Sequence, residues 1–326
     1  MPNRVLMLFL VAAVACRTPP PPPPQVPPVV APLPPPVLPV VEPLAQTPTT
    51  AEAPSRVDEA LLVALAAHDT PTLATLLADD VSVTLANGEA CTGTQACAQA
   101  IAGALAETKW RIVRRLQPAP NVAILQGLVE LGPRRIPFAA VAVMAGGRIV
   151  QVRAYANTLP WRYALDAPKA QLPVAATEPV DNVAEPATFA APTLAAAFDP
   201  ALLATDATAA GQVALDMTYR DATAGTETKT ALANQAAIRA FQDVFEVVAT
   251  QAIGQFAAGD WLVLEREVTL RQRAPVVPLP PIDELLHVRT LEVLRVEHGK
   301  ITQVWGYSDP LAFLPAVEQP PIPNLH

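Results

Sequence analysis

Two distant stretches of this chain end on one frame, and that duplication constrains the fold more than any other feature. The first reads Gly147-Arg148-Ile149-Val150-Gln151-Val152-Arg153-Ala154-Tyr155-Ala156-Asn157 and the second Gly299-Lys300-Ile301-Thr302-Gln303-Val304-Trp305-Gly306-Tyr307-Ser308-Asp309. A turn glycine, a basic residue, Ile, Gln-Val and Tyr recur at matching places, the signature of a repeated structural unit. Upstream, Gln95-Ala96 aligns with Gln235-Ala236 and residues 121–131 with 261–271, and a proline-rich insertion at 275–283 accounts for the change of register between these blocks. About 270 residues follow position 55, comfortable for two domains and long for one.

Each half has one order of elements. In the first, Ser55 is placed to cap a helix whose opening acids, Asp58 and Glu59, suit the positive end of the helix dipole. Leu61, Leu62 and Leu65, then Leu73, Leu76 and Leu77, recur at helical spacing around a break at Asp69-Thr70-Pro71. A short strand at 81–85, a turn at Asn87-Gly88 and a helix at 94–106 follow. Three strands, 122–131, 136–144 and 149–155, close the unit. The second half repeats the plan with a helix at 193–204, a strand at 212–219, a helix at 234–245 and strands at 252–256, 261–271, 287–297 and 301–307. The class is α+β: two cone-shaped domains, each with N-terminal helices packed on a curved antiparallel sheet. The division is 56–165 and 188–318, with a linker at 166–187 and a tail at 319–326.

The start of the chain has its own logic. Arg4 is the one early positive charge, an apolar stretch runs from Val5 to Val14, and small residues precede Cys16. So short a run cannot span a hydrocarbon core, which needs about twenty apolar residues. Residues 1–15 with Cys16 resemble a bacterial lipoprotein signal, and that resemblance implies lipidation of Cys16, with Ala13 standing where leucine is usual. Arg17, in place of aspartate, then implies an outer-membrane destination facing periplasm or surface. Residues 16–55 are proline-rich, so backbone donors are missing and polyproline II is expected. At roughly 3.1 Å per residue, a stretch of about 35 residues reaches about 100 Å as a spacer.

Helical hairpin, short strand, the helix opening Gly93-Thr94-Gln95-Ala96, a long hairpin, and the closing run from Gly299 to Pro310 resemble a SnoaL-like domain of the nuclear transport factor 2 superfamily, in both halves. The resemblance implies a sheet-to-sheet pseudo-dimer of the two domains within one chain. It also implies the range of that superfamily, from isomerases and dehydratases to members without catalysis. Ketosteroid isomerase-like chemistry would need a carboxylate base and an acidic Tyr or protonated Asp inside the cone, where desolvation raises a carboxyl pKa.

Candidates for such groups in the second half are Asp216, Tyr219, Glu265, Glu267, His287, Glu292, Tyr307 and Asp309. Alternation puts Glu265 and Glu267 on one face, opposite Leu262, Leu264, Val268 and Leu270. The bland reading is a solvated face balanced by Arg266 and Arg271. Tyr307 and Asp309 sit at a strand end where a cone mouth would be, and their duplicates are Tyr155 and Asn157, the latter unable to act as a base. The catalytic set is therefore Tyr307, Asp309, Glu267 and Tyr219, and Trp305 and His287 are candidates for a ligand pocket. Trp305, replaced by Arg153 in the other copy, also suits the contact between halves or plain core packing.

No Gly-x-Ser-x-Gly elbow, dinucleotide fingerprint or P-loop is present. Histidine, cysteine and carboxylate spacings form no zinc set, so no metal or cofactor is expected. Removing Arg4 with the signal leaves 21 Lys plus Arg against 30 Asp plus Glu, a side-chain balance of −9, which argues against nucleic acid as a partner. Cys91 and Cys97, six apart in an oxidising envelope, are expected to form a disulfide. The reading that joins these points is a membrane-tethered binding module for a small hydrophobic ligand or an envelope protein. The alternatives are an isomerase or dehydratase-like enzyme and a cell-surface scaffold.

Overall fold

A computed structural model describes residues 57–158 apart from 87, 106, 107 and 133, then 181–182, 187–198, and 211–309 apart from 224 and 275–282. The expected signal, Cys16, the proline-rich stretch, the tail and most of the linker lie outside the described residues.

In the first half, α1 (Val57–Ala66) is followed by α2 (Thr70–Leu76). Asp69 caps α2 by accepting from the Thr72 backbone N–H at 3.0 Å, and Pro71 occupies the first turn, where its missing N–H costs nothing. The chain continues through β1 (Leu77–Thr84), β2 (Ala90–Thr92), α3 (Thr94–Leu105), β3 (Lys109–Ala119), β4 (Val122–Leu131), β5 (Arg134–Ala145), β6 (Arg148–Ala156) and a two-residue strand, β7 (Asp181–Asn182). The second half contributes α4 (Ala191–Ala197), β8 (Val213–Asp221), β9 (Thr226–Lys229), α5 (Ala231–Val244), β10 (Phe245–Ala258), β11 (Trp261–Gln272), β12 (Leu286–Glu297) and β13 (Lys300–Ser308).

Two sheets result, ordered β2-β1-β6-β5-β4-β3-β7 and β10-β11-β12-β13-β8-β9. They are mixed rather than purely antiparallel. β1 joins β6, and β8 joins β13, in parallel, because helix and hairpins intervene between those strands in the chain. Two expectations change. β3 is an 11-residue strand where no element was expected, and it is the partner of β4. Arg111, Arg114 and Arg115 break its apolar alternation, yet Arg114 and Arg115 are buried, because this strand is covered. β10 likewise runs 14 residues where a short strand was expected. Cys91 and Cys97 are joined as a disulfide that fastens β2 to α3.

Alternation along each strand divides the core into three layers. Helices of the first half cover one face of the first sheet through Leu61, Leu65, Leu73, Ile101, Ala123 and Met144. In the second half Leu194, Phe198, Met217, Leu262, Leu264, Leu294 and Val304 do the same. The other faces meet each other: Leu116, Val122, Ile124, Val141 and Tyr155 pack with Trp261, Val263, Leu291, Val293, Trp305 and Tyr307 in one cluster.

The ladders also correct the internal alignment. Tyr155 lies opposite Ala139 and Ala139 opposite Gln126, while Tyr307 lies opposite Leu291 and Leu291 opposite Glu265. Gln126 is therefore the counterpart of Glu265. The sequence alignment of 121–131 with 261–271 would have equated it with Arg266, a slip of one residue that moves every side chain to the wrong face.

Candidate functional site

One row of residues crosses the helix-covered face of the second sheet. Tyr219 on β8 lies against Gly306 on β13, where the absent side chain leaves room for its ring: a Cβ there would fall well inside contact of Tyr219 Oη and 3.1 Å from its Cζ. Glu292 on β12 stands directly across from Gly306. Arg266 on β11 completes the row, donating from Nε and Nη2 to Glu292 Oε2 at 3.3 and 3.1 Å. Its Nη1 and Nη2 also donate to the Phe198 carbonyl at 3.0 and 3.1 Å, which ties the sheet to the end of α4. Both charged side chains are buried, so each needs the other: an isolated buried charge costs several kcal/mol. Burial, reinforced by Asp221 and Glu292 and opposed by Arg266, holds the Tyr219 hydroxyl well above its ordinary pKa. It is therefore a neutral donor at physiological pH. Asn234 of α5 is also buried in this half.

The duplicate supplies an internal control. Following the same ladders, Tyr219, Gly306, Glu292 and Arg266 correspond to Val83, Ala154, Ala140 and Gly127 in the first sheet. That row is wholly apolar or small, and the first cone is packed with Leu, Ile, Val, Ala and Met side chains. The polar row is thus not a requirement of the fold.

A second polar cluster lies between the sheets. Arg153 donates from Nε and Nη2 to Glu265 Oε1 and Oε2 at 2.5 and 2.6 Å, and the Tyr155 hydroxyl donates to Glu265 Oε1 at 2.5 Å. Gln126 Nε2 donates to the Tyr307 hydroxyl oxygen at 2.9 Å. Burial pushes both tyrosines above their usual pKa. Glu265 adds to the rise at Tyr155, while Gln126 and Arg114 moderate it at Tyr307. Arg114 lies 4.3 Å from the ring centres of both Trp261 and Trp305, and desolvation pushes its guanidinium down to about 10.

The residues singled out in the sequence fall into four places. Tyr219 lies in the cone. Tyr307 and Trp305 lie on the opposite face of the same sheet, buried between the domains. Asp309 accepts from the Thr158 backbone N–H at 3.3 Å and its hydroxyl at 2.6 Å, joining the ends of the two domains. Glu267 pairs with His287 at 3.3 Å in the open, their side chains 36% and 59% exposed. Glu265 is fully buried against Arg153, and Arg266 points the other way, where alternation requires it. Arg266, Gly306, Arg153, Gln126 and Arg114 were missed as site residues. The signal for Gly306 was a glycine inside an otherwise bulky strand, which marks close approach. Among the described residues no group of three His, Cys, Asp or Glu side chains could hold a metal ion.

Among curated proteins none matches this sequence. Solved structures with similar coordinates include a protein with a ketosteroid isomerase-like fold from Catenulispora acidiphila, in complex with trimethylamine, at 21% identity over 40% of this chain and 100% of its own, with a TM-score of 0.32. An NTF2-like protein from Cytophaga hutchinsonii shares 12% identity over 34% of this chain and 97% of its own, TM-score 0.30. An epoxide hydrolase from M. tuberculosis shares 23% over 32% and 82%, TM-score 0.28. Residues 202–317, which hold the second cone, match the family model of SnoaL-like polyketide cyclases.

Proposed function

We propose that this chain is a lipid-anchored envelope protein whose second cone binds a small, largely apolar molecule bearing a carbonyl or hydroxyl group. The internal pseudo-dimer holds that cone in place. The observation that carries the reading is the row Tyr219, Gly306, Glu292 and Arg266 set against Val83, Ala154, Ala140 and Gly127 in the apolar first cone. A tyrosine hydroxyl kept neutral by burial is a hydrogen-bond donor for an uncharged oxygen, and the apolar walls around it suit a hydrophobic body. Binding is favoured over catalysis because Glu292 Oε2 already accepts two N–H groups from Arg266, so a proton abstraction would have to disrupt that pair. An isomerase-like reading has one observation behind it, the closeness of a carboxylate to a neutral tyrosine in the same cone. It assigns Glu292 and Tyr219 the roles of base and acid, in place of Asp309, Glu267 and Tyr307.

The test incubates the purified chain with a pool of envelope metabolites and identifies what is retained by native mass spectrometry. Retention of an apolar, oxygen-bearing compound, lost in Tyr219→Phe, supports binding. Equal retention by wild type and Tyr219→Phe refutes the role given to this cone, and conversion of the compound moves the assignment to the enzyme. For the anchor, Cys16→Ser should shift the protein from the membrane fraction to the soluble one.

A further inference from the structure

The contacts between the sheets repeat with a change of chemistry. Gln126 of the first domain reaches Tyr307 of the second, and its counterpart Glu265 reaches Tyr155, the counterpart of Tyr307. Equivalent residues thus exchange contacts across the junction, the isologous pattern of a two-fold dimer. The two faces nevertheless differ where charge is concerned. The first carries Arg153 and Arg114. The second carries the buried carboxylate Glu265 along with Arg220, Arg289 and Arg295, with Trp305 at the position of Arg153 and Trp261 at that of Val122.

We propose that the two faces are built to pair only with each other, so that each domain rejects a second copy of itself. In the observed pair, Arg153 neutralises Glu265 through two hydrogen bonds, and Arg114 rests on the indoles of Trp261 and Trp305. Two copies of the second domain in the same geometry would bury two Glu265 carboxylates, each beside a tyrosine and neither with the two-bond partner that Arg153 supplies. Two copies of the first would bury two Arg153 and two Arg114 side chains with no carboxylate and no indole platform. Removing the partner of a buried charge is strongly destabilising, and like charges across an interface exclude wrong partners. The partner this surface fits is therefore the other half of the same chain, or the other half of a neighbouring chain in a swapped arrangement.

The experiment places a protease site between residues 166 and 180 of the chain, cleaves the folded protein and follows the two fragments by size-exclusion chromatography, with far-UV circular dichroism on each. In the wild type the fragments should co-elute as one pair. Glu265→Arg and Arg153→Glu should each weaken the pairing by at least 100-fold, and the double exchange should return it to within about 10-fold of wild type. The parted fragments should not form homodimers at concentrations where the wild-type pair holds. Pairing retained in both single variants overturns the proposal. So does a double variant no better than the worse single one, or a fragment that dimerises as tightly as the wild-type pair. Where a reversal unfolds its domain, Arg153→Gln and Glu265→Gln decide instead. Each alone should weaken pairing by at least 10-fold and both together by less than the product of the two losses, whereas independent losses overturn the idea.

Discussion

Gly306→Ala probes the cone site through a single methyl group. β13 has neighbours on both sides, β12 and β8, so its backbone cannot retreat. The added Cβ would lie well inside contact of Tyr219 Oη, 3.1 Å from Cζ and 3.7 Å from Cε2, so the ring has to tilt away. Overpacking of this kind costs about 1–3 kcal/mol. Replacing glycine also restricts the unfolded chain, a gain of roughly 0.4–1 kcal/mol. The net loss is about 1–2 kcal/mol, a factor of roughly 5–30 in the unfolding equilibrium. In a Tyr219→Phe background the offending oxygen is gone and the closest remaining approach is the 3.1 Å contact, so most of that loss should vanish. Urea unfolding of the four proteins at constant m-value gives the coupling energy, expected near 1 kcal/mol. A Gly306→Ala protein as stable as wild type, or an equal loss in both backgrounds, would refute the account of why glycine stands there.

Arg266→Leu should destabilise by about 3–5 kcal/mol, since Glu292 and the Phe198 carbonyl lose their donor, while Arg266→Leu with Glu292→Leu should recover most of that in the same urea titration. Tyr155, Tyr219 and Tyr307 all keep their protons in the folded chain above the pH, about 10, at which unfolded tyrosines ionise. Their stabilisation is complete below that pH and is lost as pH rises beyond it. Arg114 acts in the opposite sense, because its folded value of about 10 lies below the unfolded 12.5, so its burial penalty is relieved over that window. The pH dependence of unfolding free energy above pH 10 should report about two protons net, falling to about one in Tyr307→Phe. Reducing the Cys91–Cys97 disulfide closes no long loop and should cost about 2 kcal/mol, read as a lower thermal midpoint confined to the first domain.

The duplicated frame around Tyr155 and Tyr307 was legible because turn glycines and strand alternation survive at fixed spacing. So were the helix break at Asp69-Thr70-Pro71 and the disulfide. The site was less so, for a physical reason. Period-two patterning gives the face of a residue only relative to its own strand, and the alignment of β4 with β11 was out by one. Arg266 and Arg271 were read as balancing a solvated face of Glu265 and Glu267, although Arg266, next to Glu265 in a strand, points to the opposite side. β3 escaped notice because buried arginines look like solvent-facing ones until the second sheet is known to cover them. Tyr219 was identified, but its partners Glu292 and Gly306 lie on strands whose register no local pattern fixes.

β10 forms an outer margin of the second sheet, and its pairing with β11 shifts between Val247 and Ala249 and again between Ala252 and Gly254. Val248 and Ile253, two of its solvent-facing apolar side chains, sit beside those irregularities. A ribbon whose donors and acceptors fall out of step twice in so few residues is a poor template for a stranger's strand. Crowded copies of this protein are thereby guarded against zipping together along their flanks, even though greasy side chains stand there in plain view.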